Sequence, residues 1–161
     1  MLDLNFRQAG CVIGALGMML LTPACAGAKP TKARTDPYAE ARDWTIAQIN
    51  AYRAKVKLPS LSHWSEADSC ADEEARKDSK ANQPHKSFGT CGEMGQNECP
   101  DWPDKDSISI GCMEQMWNEG PGKNYATHGH YLNMTNPEYT KVSIGFYTTR
   151  DGKVWSVQNF Q

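Results

Sequence analysis

The side chains best suited to chemistry in this sequence are histidines and carboxylates in its second half. His85 follows a predicted helix, Glu93 lies in a glycine-containing stretch, Glu119 ends another predicted helix, and His130 lies beyond it. Neutral imidazoles bind divalent metals or transfer protons, and carboxylates balance a cation's charge or act as bases. Metal binding, acid–base catalysis and simple hydrogen bonding to loops in a partly buried cleft all stay open at this point.

Nucleophilic and nucleotide chemistry has little support in the sequence. The G-x-S-x-G elbow of hydrolases does not occur, nor do the phosphate-binding P-loop and the glycine-rich dinucleotide fingerprint. The cysteines of the mature chain are expected to pair, which would leave no reactive thiolate.

Hydrophobic periodicity predicts three helices. The first is predicted over about 38–56, from apolar residues at three- and four-residue steps: Trp44, Ile46, Ile49, Tyr52 and Val56. Alanines four residues apart predict a second helix over about 66–81, with Ser65 as its cap. A third helix is predicted over about 109–119, where glycine and proline follow.

The end of the chain changes from helical to alternating periodicity. Residues 141–147 and 153–160 alternate polar with apolar residues around an Asp151-Gly152 turn, which predicts a β-hairpin. Residues 82–107 contain three prolines and several glycines and are predicted to be loop-rich. Helices followed by a small antiparallel sheet indicate an α+β fold.

The N-terminal residues 1–26 are typical of a secretory signal peptide. An apolar run over 12–21 follows Arg7, and Ala24-Cys25-Ala26 gives a small-residue cleavage pattern. A lipid-anchored Cys25, or an uncleaved anchor, is the alternative. A polar, flexible segment over 27–37 would then precede one domain over 38–161, with no transmembrane helix in the mature, secreted or periplasmic chain.

Removal of that signal leaves four cysteines, at positions 70, 91, 99 and 112. An even number in an exported chain predicts two disulfides. Because each pair would close a short loop, we expect Cys70–Cys91 and Cys99–Cys112. Zinc held by the four cysteines is the less favoured alternative, since no C-x-x-C pair occurs.

Composition excludes several classes of protein. Seventeen Lys and Arg against nineteen Asp and Glu give a net charge of -2, without the basic excess of a nucleic-acid binder. The single apolar run near the N-terminus excludes a multi-span membrane protein. Five Trp, six Tyr and four Phe are too many aromatic residues for a disordered chain.

Seven short motifs occur in order along the chain. They are Ile49-Asn50-Ala51-Tyr52-Arg53, Leu61 with Trp64, His85-Lys86-Ser87, Gly92-Glu93, Met116-Trp117-Asn118-Glu119, Gly129-His130-Tyr131 and Val142-Ser143-Ile144-Gly145-Phe146. Together they resemble the CAP superfamily of cysteine-rich secretory, antigen 5 and pathogenesis-related 1 proteins, in a divergent bacterial-type form. The resemblance covers about residues 40–161.

The resemblance implies a three-layer α-β-α sandwich and a cleft lined by two histidines and two glutamates. Carried over motif by motif, these are His85, Glu93, Glu119 and His130. In some members the two histidines hold a divalent metal, often zinc, and neutral imidazoles with nearby carboxylates suit that ion.

The sequence departs from the family pattern at two of these motifs. Met94 follows Gly92-Glu93 where the family has Asn, and Glu119 lies two residues after Trp117 where the family usually has three. A one-residue change turns a helical side chain by roughly 100°. Glu114 is therefore the reserve candidate for the second glutamate.

Three hypotheses about function stay open. The resemblance implies a secreted binding module that takes a lipid, a sterol or a cell-envelope component into the cleft, although a fold alone does not decide function. A zinc-dependent hydrolase would use the same cleft, with zinc activating water and a glutamate as base. A structural or interaction protein of the cell envelope is the third hypothesis.

Overall fold

The computed structural model describes residues 36–161, so the predicted signal over 1–26 and most of the 27–37 segment lie outside the described residues. The helices are α1 (Ala39–Lys55), α2 (Asp68–Ala81), α3 (Lys105–Ser107), α4 (Met113–Asn118) and α5 (Tyr125–Met134). A π-helical segment, Ile108–Cys112, joins α3 to α4, and a 3-10 turn, Ser65–Ala67, precedes α2. The strands are β1 (Ser62–His63), β2 (Gly95–Trp102), β3 (Lys141–Thr148) and β4 (Val154–Phe160).

The four strands form one sheet in the order β1-β3-β4-β2. Strands β3 and β4 form the predicted antiparallel hairpin, with Val142 opposite Phe160 and Thr148 opposite Val154. Strand β2 pairs antiparallel with the other side of β4, and the two-residue β1 pairs parallel with β3. The predicted α+β class is confirmed, and the sheet is mixed rather than purely antiparallel.

Helices cover both faces of this sheet, which confirms the predicted α-β-α sandwich. Side chains alternate between the faces along β4, so Trp155 and Val157 pack with Ala71 and Ala75 of α2. On the opposite face, Val154 and Phe160 belong to the larger core formed with the remaining helices.

A glycine brings α2 close to the sheet. A Cβ atom on Gly145 of β3 would lie 2.2 Å from the backbone carbonyl of Ala71, so any larger residue would force the layers apart. The predicted small-residue face of the second helix, which also includes Ala67 and Ala75, is buried as expected.

The edge of β3 beyond β1 is protected by charged side chains. Asp72 of α2 accepts a hydrogen bond from the N–H of Phe146 at 2.7 Å, while buried Arg42 of α1 donates to the carbonyl of Ile144. Arg42 also pairs with Asp72 at 2.8 Å. Unpaired strand edges attract other strands, and these contacts satisfy the edge from within the chain.

Several details of the predicted helices are wrong. Trp44 and Val56, expected on the buried face of α1, are 66% and 37% exposed. The buried face instead combines Ile46, Ile49 and Tyr52 with the polar Arg42, Thr45 and Arg53. Ser65 begins the 3-10 turn, and the residue before α2 is Ala67, which makes no side-chain cap.

Two of the longer elements, β2 and α5, were not predicted from the sequence. Strand β2 lies inside the stretch expected to be loop, because its first half is polar on both faces and shows no apolar alternation. Helix α5 contains Gly129 and has little apolar periodicity. Its first turn is stabilised by Asn124, whose side chain accepts the N–H of Ala126 at 3.0 Å.

Both predicted disulfides are present, Cys70–Cys91 and Cys99–Cys112. The first joins α2 to the loop that follows it, and the second joins β2 to the π-helical segment. A zinc site made by the four cysteines is therefore wrong. Among residues 36–161, no helix is long and apolar enough to span a bilayer.

Candidate functional site

Glu119 and His130 meet where α4 turns into α5. Helix α4 ends at Asn118, Glu119 follows as its C-cap with helical φ and ψ, and Gly120 with its φ of +67° turns the chain away. Its Oε1 accepts a hydrogen bond from Nδ1 of His130 at 2.5 Å, and its Oε2 accepts the N–H of His130 at 3.0 Å. The contact with His130 therefore forms with the shorter spacing after Trp117. Glu114, the reserve candidate, is exposed on α4.

His85 lies on the turn after α2, in a left-handed backbone conformation with φ of +61°. Such a φ is uncommon outside glycine and asparagine and needs support from its neighbours. Its N–H donates to Oε2 of Glu98 at 2.6 Å, and its Nδ1 is 2.8 Å from Oε1 of Gln96. The imidazole itself is 43% exposed.

These side chains face one cleft with a volume of about 360 Å³. Its walls come from the His85 turn, the start of β2, the end of α4 and the exposed side of α5. The lining residues are His85, Phe88, Gln96, Glu119, Tyr125, Ala126, Gly129, His130 and Asn133. Three of the four residues expected from the sequence are therefore brought together.

Glu93 is not brought into the cleft. Its carboxylate accepts the backbone N–H groups of Gly89 and Cys91, the latter at 3.0 Å, and its side chain is buried under that loop. The prediction of Glu93 as a cleft residue is corrected accordingly. Glu93 instead ties the loop over 89–91 through its backbone N–H groups.

The family model described as "Cysteine-rich secretory protein family" (CAP) matches residues 46–160. The chain belongs to the CAP family. Among curated proteins, no sequence matches this one.

Solved structures give the same fold at low sequence identity. NaASP2, crystallised with Zn²⁺, is 17% identical with a TM-score of 0.59, over 76% of this chain and 79% of that one. An outer surface protein from Borrelia burgdorferi is 17% identical with a TM-score of 0.56, over 77% of this chain and 94% of that one. An extracellular SCP-domain protein from Bacillus anthracis str. Ames is 16% identical with a TM-score of 0.53, over 76% of this chain and 41% of that one.

Gln96 occupies the place beside His85 where the family resemblance predicted a glutamate, Glu93. Strand β2 begins with Gly95-Gln96-Asn97, which resembles the CAP Gly-Glu-Asn motif more closely than Gly92-Glu93 does, with an amide in place of the acid. Asn97, directly after Gly95-Gln96, was the available signal. Among its described residues, this CAP chain therefore presents one carboxylate, Glu119, to its cleft.

Hydrogen bonding orients both imidazoles. The amide nitrogen of Gln96 donates to Glu74 at 3.2 Å and to Asn159 at 3.0 Å, which leaves its oxygen facing His85. Nδ1 of His85 is then the protonated nitrogen, and in His130 the carboxylate of Glu119 selects the same tautomer. In the described part of the chain neither Nε2 atom has a hydrogen-bond partner, so each presents a lone pair.

His128 is a further contributor to this turn. Its ring donates from Nδ1 to the carbonyl of Glu119 at 2.7 Å and to that of Gly120 at 3.1 Å. The ring lies so close to Gly122 that a Cβ atom there would come within 2.2 Å of it. His128 therefore fixes the α4–α5 turn that presents Glu119.

Buried acids lie behind the His85 wall of the cleft. Burial, together with the charges of Asp78 and Glu74, raises the pKa of Glu98 to about 8. The hydrogen bond from the N–H of His85 has the opposite effect on this pKa but is outweighed. Burial also raises the pKa of Glu74, although Thr90 and Asn159 donate hydrogen bonds to it. The environment behind the cleft thus disfavours additional negative charge.

Within residues 36–161, one group of three metal-ligating residue types is close enough to share an ion: Glu74, Cys91 and Glu93. The sulfur of Cys91 is in a disulfide and offers no thiolate. That group is therefore not a thiolate metal centre.

Proposed function

We propose that the protein is a secreted binding protein that holds an amphiphilic lipid, sterol or related cell-envelope ligand in its cleft. The polar end of the ligand lies against His85, Glu119 and His130, and its apolar part extends along α5. The supporting observation is a second hollow of about 570 Å³, which shares Phe88, Tyr125 and Asn133 with the first.

This second hollow offers an apolar surface. Phe88, Met94 and Tyr125 line it and are 49%, 58% and 59% exposed, which is unusual for large apolar side chains of a soluble domain. The amide of Asn133 is already engaged, because it donates to the carbonyl of Gln96 at 3.0 Å. Aliphatic and aromatic groups therefore remain for a ligand.

Charge narrows the class of ligand. Neither hollow has a Lys or Arg among its lining residues in the described chain. Phosphate and carboxylate groups are normally held by such cations. A neutral or zwitterionic polar end, such as a sterol hydroxyl, fits the two imidazole lone pairs and Glu119 better than an anionic one.

The donor set also suits a divalent metal at the two histidines. Each imidazole has its Nδ1 hydrogen-bonded to an oxygen acceptor, the arrangement that orients metal-ligating histidines and increases their basicity. His85 and His130 would hold the ion through Nε2, and Gln96 and Glu119 would orient them. A zinc ion bound there would attract the polar end of the ligand as a Lewis acid.

The hydrolase alternative has weaker support. A hydrolytic base needs a carboxylate oxygen that can accept a proton from water. Both oxygens of Glu119 already accept hydrogen bonds, from the ring and N–H of His130 and from the N–H of Tyr131 at 3.3 Å. The geometry therefore favours binding over catalysis.

Fluorescence titration with cis-parinaric acid, a neutral long-chain alcohol and dehydroergosterol tests the proposal. We expect saturable binding of at least one probe, and a loss of at least about tenfold in affinity in Phe88→Ala/Tyr125→Ala. Trp44→Ala is the matched control, because Trp44 is an exposed aromatic on α1 outside both hollows. Lack of saturable binding, or an equal loss in both variants, would count against the proposal.

Secretion is part of this proposal. The two disulfides are typical of an oxidising compartment, and one of the similar structures is an outer surface protein. N-terminal sequencing of the mature protein tests it: Gly27 as first residue indicates cleavage after Ala26, and a blocked, lipidated Cys25 indicates an anchored protein.

A further inference from the structure

Three carboxylates are buried together between α2 and β2, behind the His85 turn. Glu74 and Asp78 lie one turn apart on α2 and are 1% and 0% exposed, and Glu98 on β2 is 4% exposed. Ionised carboxylates are among the most costly groups to remove from water without a counter-charge. None of the ion pairs within residues 36–161 includes Asp78, and the only partner of Glu98 is the half-exposed imidazole of His85 at 3.9 Å.

Three oxygens of this group have no hydrogen-bond donor among residues 36–161. They are both carboxylate oxygens of Asp78 and Oε1 of Glu98. Glu74 differs, since Thr90 donates to it at 2.6 Å and Gln96 and Asn159 donate to its other oxygen. Buried polar atoms without a partner are rare in folded proteins, and a bound ion is one of the standard explanations.

We propose that Asp78 and Glu98 bind a hard divalent cation of the calcium class between α2 and β2. Such cations take carboxylate and carbonyl oxygens as ligands. The site is separate from the imidazoles of the cleft, which offer nitrogen and suit zinc. Its ligands also differ from the Glu74, Cys91 and Glu93 group, in which the sulfur is oxidised, although Glu74 borders both.

A shared proton would satisfy this group less completely than a cation. One proton bound between Asp78 and Glu98 gives one donor and one acceptor, so it engages two of the three free oxygens. A divalent cation bound to both carboxylates would take lone pairs from their free oxygens and would also offset the charge of Glu74. The two residues lie within electrostatic reach of one another, because the charge of Asp78 contributes to the raised pKa of Glu98.

The cation would also affect the cleft. The other oxygen of Glu98 holds the N–H of His85 at 2.6 Å, at the residue whose φ is +61°. A cation that fixes Glu98 fixes this turn, and with it the position of one cleft imidazole.

Calorimetric titration of the chelator-treated full chain with Ca²⁺, and separately with Mg²⁺, tests the site. We expect one equivalent of Ca²⁺ to bind and to raise Tm, because a ligand of the folded state alone stabilises it. Asp78→Asn and Glu98→Gln should each weaken binding by at least about tenfold. Glu66→Gln, an exposed acid just before α2, and His130→Ala, in the cleft, should bind Ca²⁺ like the wild type.

The proposal is overturned if neither ion produces heat or a change in Tm at millimolar concentration, or if both variants bind Ca²⁺ as tightly as the wild type. Glu98→Gln keeps an oxygen that can accept the N–H of His85. This variant therefore tests calcium binding by itself if Asp78→Asn does not fold. A gain in Tm in Glu98→Gln without any Ca²⁺ effect on the wild type would indicate a shared proton instead.

Discussion

Nδ1 of His130, in α5, lies 2.5 Å from Oε1 of Glu119, which directly follows α4. The contact depends on the turn between α4 and α5, where the ring of His128 holds the carbonyl of Glu119. A carboxylate on the inner nitrogen leaves the outer nitrogen as a strong metal ligand or hydrogen-bond acceptor. Contacts at the turn between α4 and α5 therefore orient the imidazole of His130 in the cleft.

Replacement of Glu119 by Gln should weaken zinc binding by about 10- to 100-fold, because the amide keeps the hydrogen bond to His130 but not the charge that increases its basicity. Competition with a chromophoric chelator measures the affinity. Glu114→Gln, an exposed acid on the same helix, is the control. Equal affinities in the two variants would contradict the role given to Glu119.

In chelating buffer, the free energy of unfolding should fall as pH rises from about 4.5 to about 8. The pKa of Glu98 is raised to about 8 in the folded state, so the folded state holds its proton more tightly than the unfolded state does. This stability is fully present below the unfolded pKa and is lost as pH approaches 8, by roughly 4 kcal/mol in total.

Urea unfolding at several pH values measures that slope. Glu98→Gln should flatten it and should be more stable than the wild type at pH 8, whereas the exposed Glu66→Gln should keep it. A wild-type profile that is flat over this range would contradict the account of the buried acids.

Replacement of Arg42 by Met should lower the free energy of unfolding by about 3–5 kcal/mol, because it leaves the carboxylate of Asp72 and the carbonyl of Ile144 without their cation. Chemical denaturation followed by circular dichroism measures the change. Arg76→Met, which removes an exposed pair with Glu73, should have a much smaller effect. Similar losses in the two variants would show that the edge of β3 does not need Arg42.

Removal of either disulfide by paired Cys→Ala substitutions should lower the free energy of unfolding by about 2–4 kcal/mol. The sequence separations of 21 and 13 are similar enough for the entropic effects to be close. Only loss of Cys70–Cys91 should also weaken probe binding in the cleft, because it frees the loop that contains Phe88. Unchanged probe affinity in that variant would contradict the link between the loop and the cleft.

The sequence determined the parts of this protein that have regular apolar patterns. Helices α1 and α2 were located by their apolar and small-residue spacings, and strands β3 and β4 by their alternation. Periodic burial requires apolar or small residues at periodic positions in the sequence. The short loops between cysteines indicated the pairing. Motif order indicated the family and pointed to His85, Glu119 and His130.

Only the tertiary structure decided which polar residues meet. Strand β2 has no apolar alternation because one of its faces contacts the acids of α2, so neither the strand nor Gln96 was evident from periodicity. Glu93 and Gln96 are three residues apart, yet one ties a loop and the other orients His85. The lack of a counter-charge beside Asp78 and Glu98 is likewise a property of three-dimensional neighbours, since burial and partners of a carboxylate depend on residues distant in the chain.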